Sequence, residues 1–247
     1  MVTNIRVAIL TPIYKAALTA NETIAVKHSF AVLKSRDIFF ICPSKLDTSF
    51  YRENFPQAQY SYFPDQCFSG RQAYSDLLTS LHFYENYLEY THILIAQTDC
   101  VVFFDNLDYW AHSCFDYVGA PWVNVWIFQF PALGTALDGL KFYVNVGNGG
   151  LSLRNTRATI KVIKELGWIK SMYHETVEDA FFSLAGQVSS HFLIPNAIHA
   201  AQFSLECEPR KYFALTNKLP MGTHAWEKWD KVFWLEHFTQ QGIHGIT

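Results

Sequence analysis

The chain has 247 residues, half of them hydrophobic and 17% aromatic, and no Gly/Ser or Pro-rich linker. That predicts one large domain spanning 1–247 with a substantial core. A net charge of −3, with Lys and Arg scattered rather than clustered, excludes the basic footprint that a nucleic-acid partner requires. The five cysteines are odd in number and include no CxxC pair, so neither a disulfide framework nor a thiolate zinc site is indicated, and a reducing, cytoplasmic setting fits best. The chain opens on a strand-like run with no basic leader or cleavage site, and no apolar stretch reaches the roughly 18 residues of a spanning helix.

In chain order, "IRVAIL" (5–10) and "DIFFIC" (37–42) read as short buried strands. "ANETIAVKHSFAVLKS" between them reads as a helix with Asn21 available to cap it. This β-α-β unit implies a parallel pair. "AQYSYF" (58–63) is a weaker third strand. Tyr74, Leu77, Leu78, Leu81 and Tyr84 recur at three and four residues within 69–90, predicting one amphipathic helix that leads into the strand "HILIAQ". The alternation predicts an α/β sandwich with a mostly parallel sheet, whose ligands gather beyond the carboxyl ends of the strands. "TPIY" and "QTDC" fall at those ends, so Asp99 emerges at the ligand edge despite its apolar surroundings. Further on, "GNGG" (147–150) reads as a tight turn before an alternating strand, "TRATIKVIKELGW" as a helix, and "ETVEDAFFSLAGQ" as a helix with an acidic first turn.

The succession "ILIAQTDCVVFFDNL", "DYVGAPW", "GNGGLSLRN", "VEDAFFS", "FSLEC" and "PMGTHAW" resembles the motif order of a bacterial family of glycosyltransferase-like proteins catalogued mainly as a domain of unknown function. That family is similar to GT-A nucleotide-sugar transferases. The resemblance covers about residues 5–230 and rests on motif order. It implies a GT-A-like α/β/α sandwich, with a nucleotide-sugar-binding half at 1–105 and an acceptor-binding, catalytic half at 106–247. It also implies a Mn²⁺ or Mg²⁺ ion on the diphosphate of a UDP-sugar donor and a saccharide or lipid-linked saccharide acceptor. Bacterial surface polysaccharide or lipopolysaccharide synthesis is the setting implied.

GT-A enzymes often carry Asp-x-Asp after a sheet strand; here the triplet is Gln97-Thr98-Asp99. One carboxylate suits a divalent ion that draws its other oxygens from phosphate and water, while a turn cap is the plainer role for Asp99. The resemblance makes His224 of "PMGTHAW" the second metal ligand, and imidazole favours Mn²⁺. A hydrogen-bonded structural histidine is the alternative. Glu178 and Asp179 open a helix, where the dipole alone stabilises negative charge. Adjacent helical residues point about 100° apart, so the two cannot converge. By likeness to inverting GT-A enzymes, Asp179 is the base, with Glu178 in reserve.

The amides of "GNGG" could face phosphate or sugar oxygens, which makes Asn148, Gly149 and Gly150 candidate sugar contacts. Arg154 is a candidate partner of the diphosphate or an ordinary structural ion pair, and Trp122 either stacks on a pyranose or packs in the core. Thr11 and Tyr14 after the first strand, with Arg71 and Tyr74 at the start of the long helix, are the base and ribose candidates. "AWEKWDKVFWLEHF" (225–238) could touch an inner membrane bearing a lipid-linked acceptor, but its two lysines among three acids favour docking on the domain. The rival functions are a non-catalytic sugar or nucleotide-binding module, a retaining glycosyltransferase, and a two-carboxylate glycoside hydrolase, for which the β-α alternation stops too early.

Overall fold

The computed structural model describes residues 4–132, 134, 136–173 and 176–247. Its strands are β1 (Val7–Pro12), β2 (Asp37–Pro43), β3 (Gln59–Phe63), β4 (His92–Ala96), β5 (Val101–Val102), β6 (Tyr117–Gln129), β7 (Lys141–Asn155), β8 (Ser204–Leu205) and β9 (Gly222–Thr223). Six of them form one sheet in the order β3-β2-β1-β4-β7-β6. The first four run parallel, and β7 and β6 each run antiparallel to the neighbour before them. Both β1 and β4 are buried along their whole length, which is why they read as unbroken apolar runs instead of alternating ones.

One face of the sheet packs its apolar side chains against Phe83, Tyr84, Val162, Ile163 and the 180–185 stretch of helix Glu178–Val188. The opposite face packs on Val26 and Phe30 of helix Ala20–Val32, with Tyr51, Trp110 and Phe203. A third cluster joins Val101 and Phe103 to Trp226, Phe233, Trp234 and Phe238, so the C-terminal helix Lys231–Gln240 docks on the domain through its aromatic face. Among the described residues, no helix is long and apolar enough to cross a membrane.

Three local expectations are corrected. Helix Ala20–Val32 is capped by Thr19, not Asn21: Thr19 and Glu22 exchange side-chain and backbone bonds in a capping box. Asn21 instead ties the chain's last residue through both its amide groups, donating to Thr247 O and accepting from Thr247 N. The single helix expected over 69–90 breaks into Arg71–Leu78 and Leu81–Glu85. Thr79 Oγ1 bonds back to the Ser75 carbonyl and Ser80 Oγ caps the next helix at Phe83 N, local side-chain bonds that compete with the helical ladder. Finally, "GNGG" is no turn but part of β7, opposite a run of register shifts in β6 between Val118 and Trp126.

Candidate functional site

The carboxyl ends of β1 and β4 open onto a cleft with two lobes. The wide lobe, about 610 Å³, has Tyr14, Lys15, Glu22, Thr98 and Asp99 in its walls. The narrow lobe, about 270 Å³, is bounded by Asn148, Gly149, Gly150, Glu178, Asp179 and His224. Arg71, Tyr74 and Gln97 line both.

The three-stranded sheet β5-β9-β8 brings distant residues to the wall between the lobes. Antiparallel pairing of Val101 with Thr223 sets the segment before β5 against the segment after β9. Parallel pairing of Leu205 with Thr223 sets the next residues, Glu206 and His224, side by side. As a result Asp99 Oδ1 lies 3.4 Å from His224 Nε2, and Gln97 Oε1 lies 3.1 Å from the same nitrogen. On the other side of the ring, Nδ1 is 3.1 Å from Glu206 Oε2, while Glu206 Oε1 accepts from Trp229 Nε1 at 2.8 Å.

Burial of the His224 ring works against its protonation, but the Glu206 hydrogen bond and the charges of Asp99 and Glu206 outweigh it, so its pKa is raised. With Nδ1 donating to Glu206, the neutral ring turns a lone pair toward two oxygens. That convergence of electron-rich atoms is relieved by a proton, by a cation, or by a turn of the Gln97 amide that presents its NH₂ group to the ring. One imidazole nitrogen and two oxygens suit Mn²⁺ better than Mg²⁺ or Ca²⁺. No cluster of three or more His, Cys, Asp or Glu with metal-holding geometry occurs among the described residues, so these donors fit an ion that draws further oxygens from phosphate and water.

Strand β7 makes the approach of the other groups sterically feasible. A Cβ on Gly150 would collide with the His224 ring, and one on Gly149 would come within 2.6 Å of Glu178 Oε1 and 3.2 Å of Asp179 Cβ. The two glycines therefore let the helix Glu178–Val188 and the His224 segment press directly onto the strand. The Gln97-Thr98-Asp99 turn is held from behind as Gln97 N and Cys100 Sγ both donate to Gly150 O, and Thr98 Oγ1 donates to Glu22 Oε1 at 2.8 Å.

The adjacent carboxylates diverge. Glu178 faces Arg154 at 3.2 Å, and Arg154 also donates to Tyr84 and Ser152. Asp179 turns to the narrow lobe. Burial, and then the charge of Glu178, pushes its carboxyl up to about 7 against the pull of the Ala180 amide and Arg71.

Of the residues singled out in the sequence, Tyr14, Arg71, Tyr74, Gln97, Asp99, Asn148, Gly149, Gly150, Glu178, Asp179 and His224 line the cleft. Three do not. Thr11 is 1% exposed beneath the wide lobe, because β1 continues past it to Pro12 and its side chain points inward. Arg154 is 0% exposed and is the structural ion pair, not a group within reach of a diphosphate. Trp122 lies on β6, packed partly into the core and against Trp126, and lines neither lobe. Sequence reasoning passed over Lys15, Glu22, Trp229 and above all Glu206, although "FSLEC" shows an acid in an apolar run just as "LIAQTDC" does.

The family described as "Protein of unknown function (DUF5672)" matches residues 57–224, more than half of the chain. No curated protein matches. Among solved structures, the galactosyltransferase LgtC in complex with donor and acceptor sugar analogs superposes with a TM-score of 0.56 at 14% identity, over 95% of this chain and 94% of that one. The glycosyltransferase GlyE of Streptococcus pneumoniae TIGR4 gives 0.52 at 14% identity, over 97% of this chain and 64% of that one. The bifunctional glycosyltransferase WbbM gives 0.51 at 10% identity, over 91% and 46%. At such identities the likeness is one of fold, and it is the GT-A fold that the motif order implied. The chain thus belongs to the DUF5672 family, and its two-lobed cleft is built on the scaffold of the GT-A glycosyltransferases.

Proposed function

We propose that this protein is a metal-dependent, inverting glycosyltransferase that moves a sugar from a nucleoside diphosphate, with uridine diphosphate as the favoured carrier, to a saccharide hydroxyl. The observation that carries the reading is the meeting of Asp99 and His224 at 3.4 Å on the wall between the lobes. Asp99, His224 and Gln97 would hold the ion, and a bound Mn²⁺ or Mg²⁺ would supply Lewis-acid neutralisation of the diphosphate leaving group.

The donor's diphosphate and nucleoside belong in the wide lobe, where Lys15 and Arg71 offer positive charge and Tyr14 an exposed ring. Tyr74 Oη is buried without a hydrogen-bond partner among the described residues, and its ring lines the cleft where the lobes meet. The narrow lobe takes the acceptor. There Asp179, with its carboxyl raised to about 7, accepts the proton of the attacking hydroxyl, the range in which a general base works at neutral pH. Glu178 is committed to Arg154, which leaves Asp179 as the one carboxylate lining the lobe without an ion pair among the described residues and supports direct displacement at the anomeric carbon over a double displacement. The acceptor is a saccharide, free or lipid-linked, and the setting is bacterial surface polysaccharide or lipopolysaccharide synthesis.

The neutral Gln97 at the position of an acid favours one rival, a module that binds sugar nucleotide without transferring it. Calorimetric titration with UDP, with and without Mn²⁺, followed by a nucleotide-sugar hydrolysis screen, tests both. Mn²⁺-dependent UDP binding with donor turnover is expected. Absence of UDP binding removes the donor assignment, and binding without turnover selects the module. NMR of the product's anomeric proton should show inversion; retention removes Asp179 as the base.

A further inference from the structure

We infer that Glu206, whose other carboxylate oxygen is occupied by the Trp229 indole, is a positioning residue that fixes the His224 ring in the tautomer whose Nε2 lone pair faces the cleft. The inference rests on the cation-holding role proposed for His224. Glu206 is only 6% exposed, and both of its oxygens are engaged, Oε2 by His224 Nδ1 and Oε1 by the Trp229 indole. An indole N–H can only donate and an ionised carboxylate can only accept. With Oε1 taken by the indole, Oε2 at 3.1 Å from Nδ1 competes for the proton of the neutral imidazole with Asp99 at 3.4 Å from Nε2, and the shorter, more deeply buried contact places it on Nδ1, which leaves Nε2 bare beside Asp99 and Gln97. The arrangement is set by backbone pairing and not by chance contact. Glu206 and His224 each follow a strand residue of the β8–β9 pair, Leu205 and Thr223, while Thr223 Oγ1 bonds the Leu205 carbonyl at 2.7 Å. A hydrogen-bonded outer carboxylate of this kind orients a ligating histidine and raises its basicity.

The chemistry of an amide gives a test that simple packing would not pass. In Glu206→Gln the indole N–H demands the amide oxygen, so the NH₂ group is turned toward His224 Nδ1. That nitrogen must then accept, the ring proton moves to Nε2, and the lone pair is covered. Trp229→Phe removes the competing donor. In the double variant the amide is free to turn its oxygen back to His224 and restore the original tautomer.

Mn²⁺ titration in the presence of UDP should therefore show binding weakened about 10–100-fold in Glu206→Gln. Trp229→Phe should stay within about threefold of the parent, since Glu206 still holds Nδ1. The double variant should recover most of the loss. Independently of metal, long-range ¹⁵N–¹H spectra at a pH where the ring is neutral should show the Nδ1–H tautomer in the parent and Nε2–H in Glu206→Gln. An Nε2–H tautomer in the parent overturns the inference whether or not the variants fold. So does undiminished Mn²⁺ binding by Glu206→Gln, or a double variant weaker than the single. If the parent binds no Mn²⁺ with UDP, the cation role of His224 fails instead, and the tautomer spectra still decide what Glu206 does to the ring.

Discussion

At the scale of single residues the two neighbouring acids show how environment divides labour. Glu178 and Asp179 share a helix start, yet one is neutralised by a wholly buried arginine and the other is left with its proton affinity raised. The sign of the consequence for stability follows from that rise. A carboxyl whose folded pKa exceeds its unfolded value contributes stability that is fully present below about pH 4 and is lost as pH climbs through about 7. Asp179→Asn carries no such dependence. Its stability relative to the parent, read by urea denaturation, should grow by up to about 1 kcal/mol per pH unit between pH 4 and 7 and level off above. The same variant should lose about 10²–10⁴-fold in transfer rate while binding UDP as the parent does; retained turnover would exclude Asp179 as the base.

At the scale of elements, β7 carries the site. Its glycines read as a turn because glycine is scarce inside strands, and only tertiary approach explains them. Gly150→Ala should force the His224 ring aside, costing about 1–3 kcal/mol in denaturant unfolding. It should also weaken Mn²⁺-dependent UDP binding by about tenfold or more, with metal-free UDP binding little changed; undiminished metal dependence would show that the ring tolerates the methyl group. What was legible in the sequence follows the same logic. The fully buried strands β1 and β4 and the largely apolar β2 declare themselves as apolar runs, and with them the parallel sheet and the edge at which Asp99 emerges. The cap is legible at Thr19, since Thr19 and Glu22 stand at the spacing of a capping box, whereas the expectation of Asn21 rests on residue type alone. The break at Thr79–Ser80 is invisible to periodicity, since the apolar face continues across it. Glu206 stands out in "FSLEC" as an acid in an apolar run, but its contact with His224 is illegible because it depends on the pairing of two-residue strands, which leave no pattern. Conversely, His224 and Asp99 were paired only through resemblance to a family, not through anything in their spacing.

At the scale of the whole molecule, the third aromatic cluster supports the site from outside. Trp234 is completely buried against Phe103 and Phe238, next to the strand β5 that positions Asp99. Trp234→Ala should cost about 3–5 kcal/mol, seen as a lower unfolding midpoint. UDP binding should weaken even in the fraction that stays folded, and a variant with parental affinity would show that β5 holds its place unaided. If the two lobes hold donor and acceptor as proposed, their shared wall limits how the protein can change. Arg71, Tyr74 and Gln97 are a common boundary of both hollows. Reshaping any one of them to admit a bulkier donor alters the acceptor's room at the same stroke. Selectivity for the two reactants is thus inherited jointly, and a lineage gains a new pairing more readily by changing residues that touch one hollow alone, such as Tyr14 or Asn148.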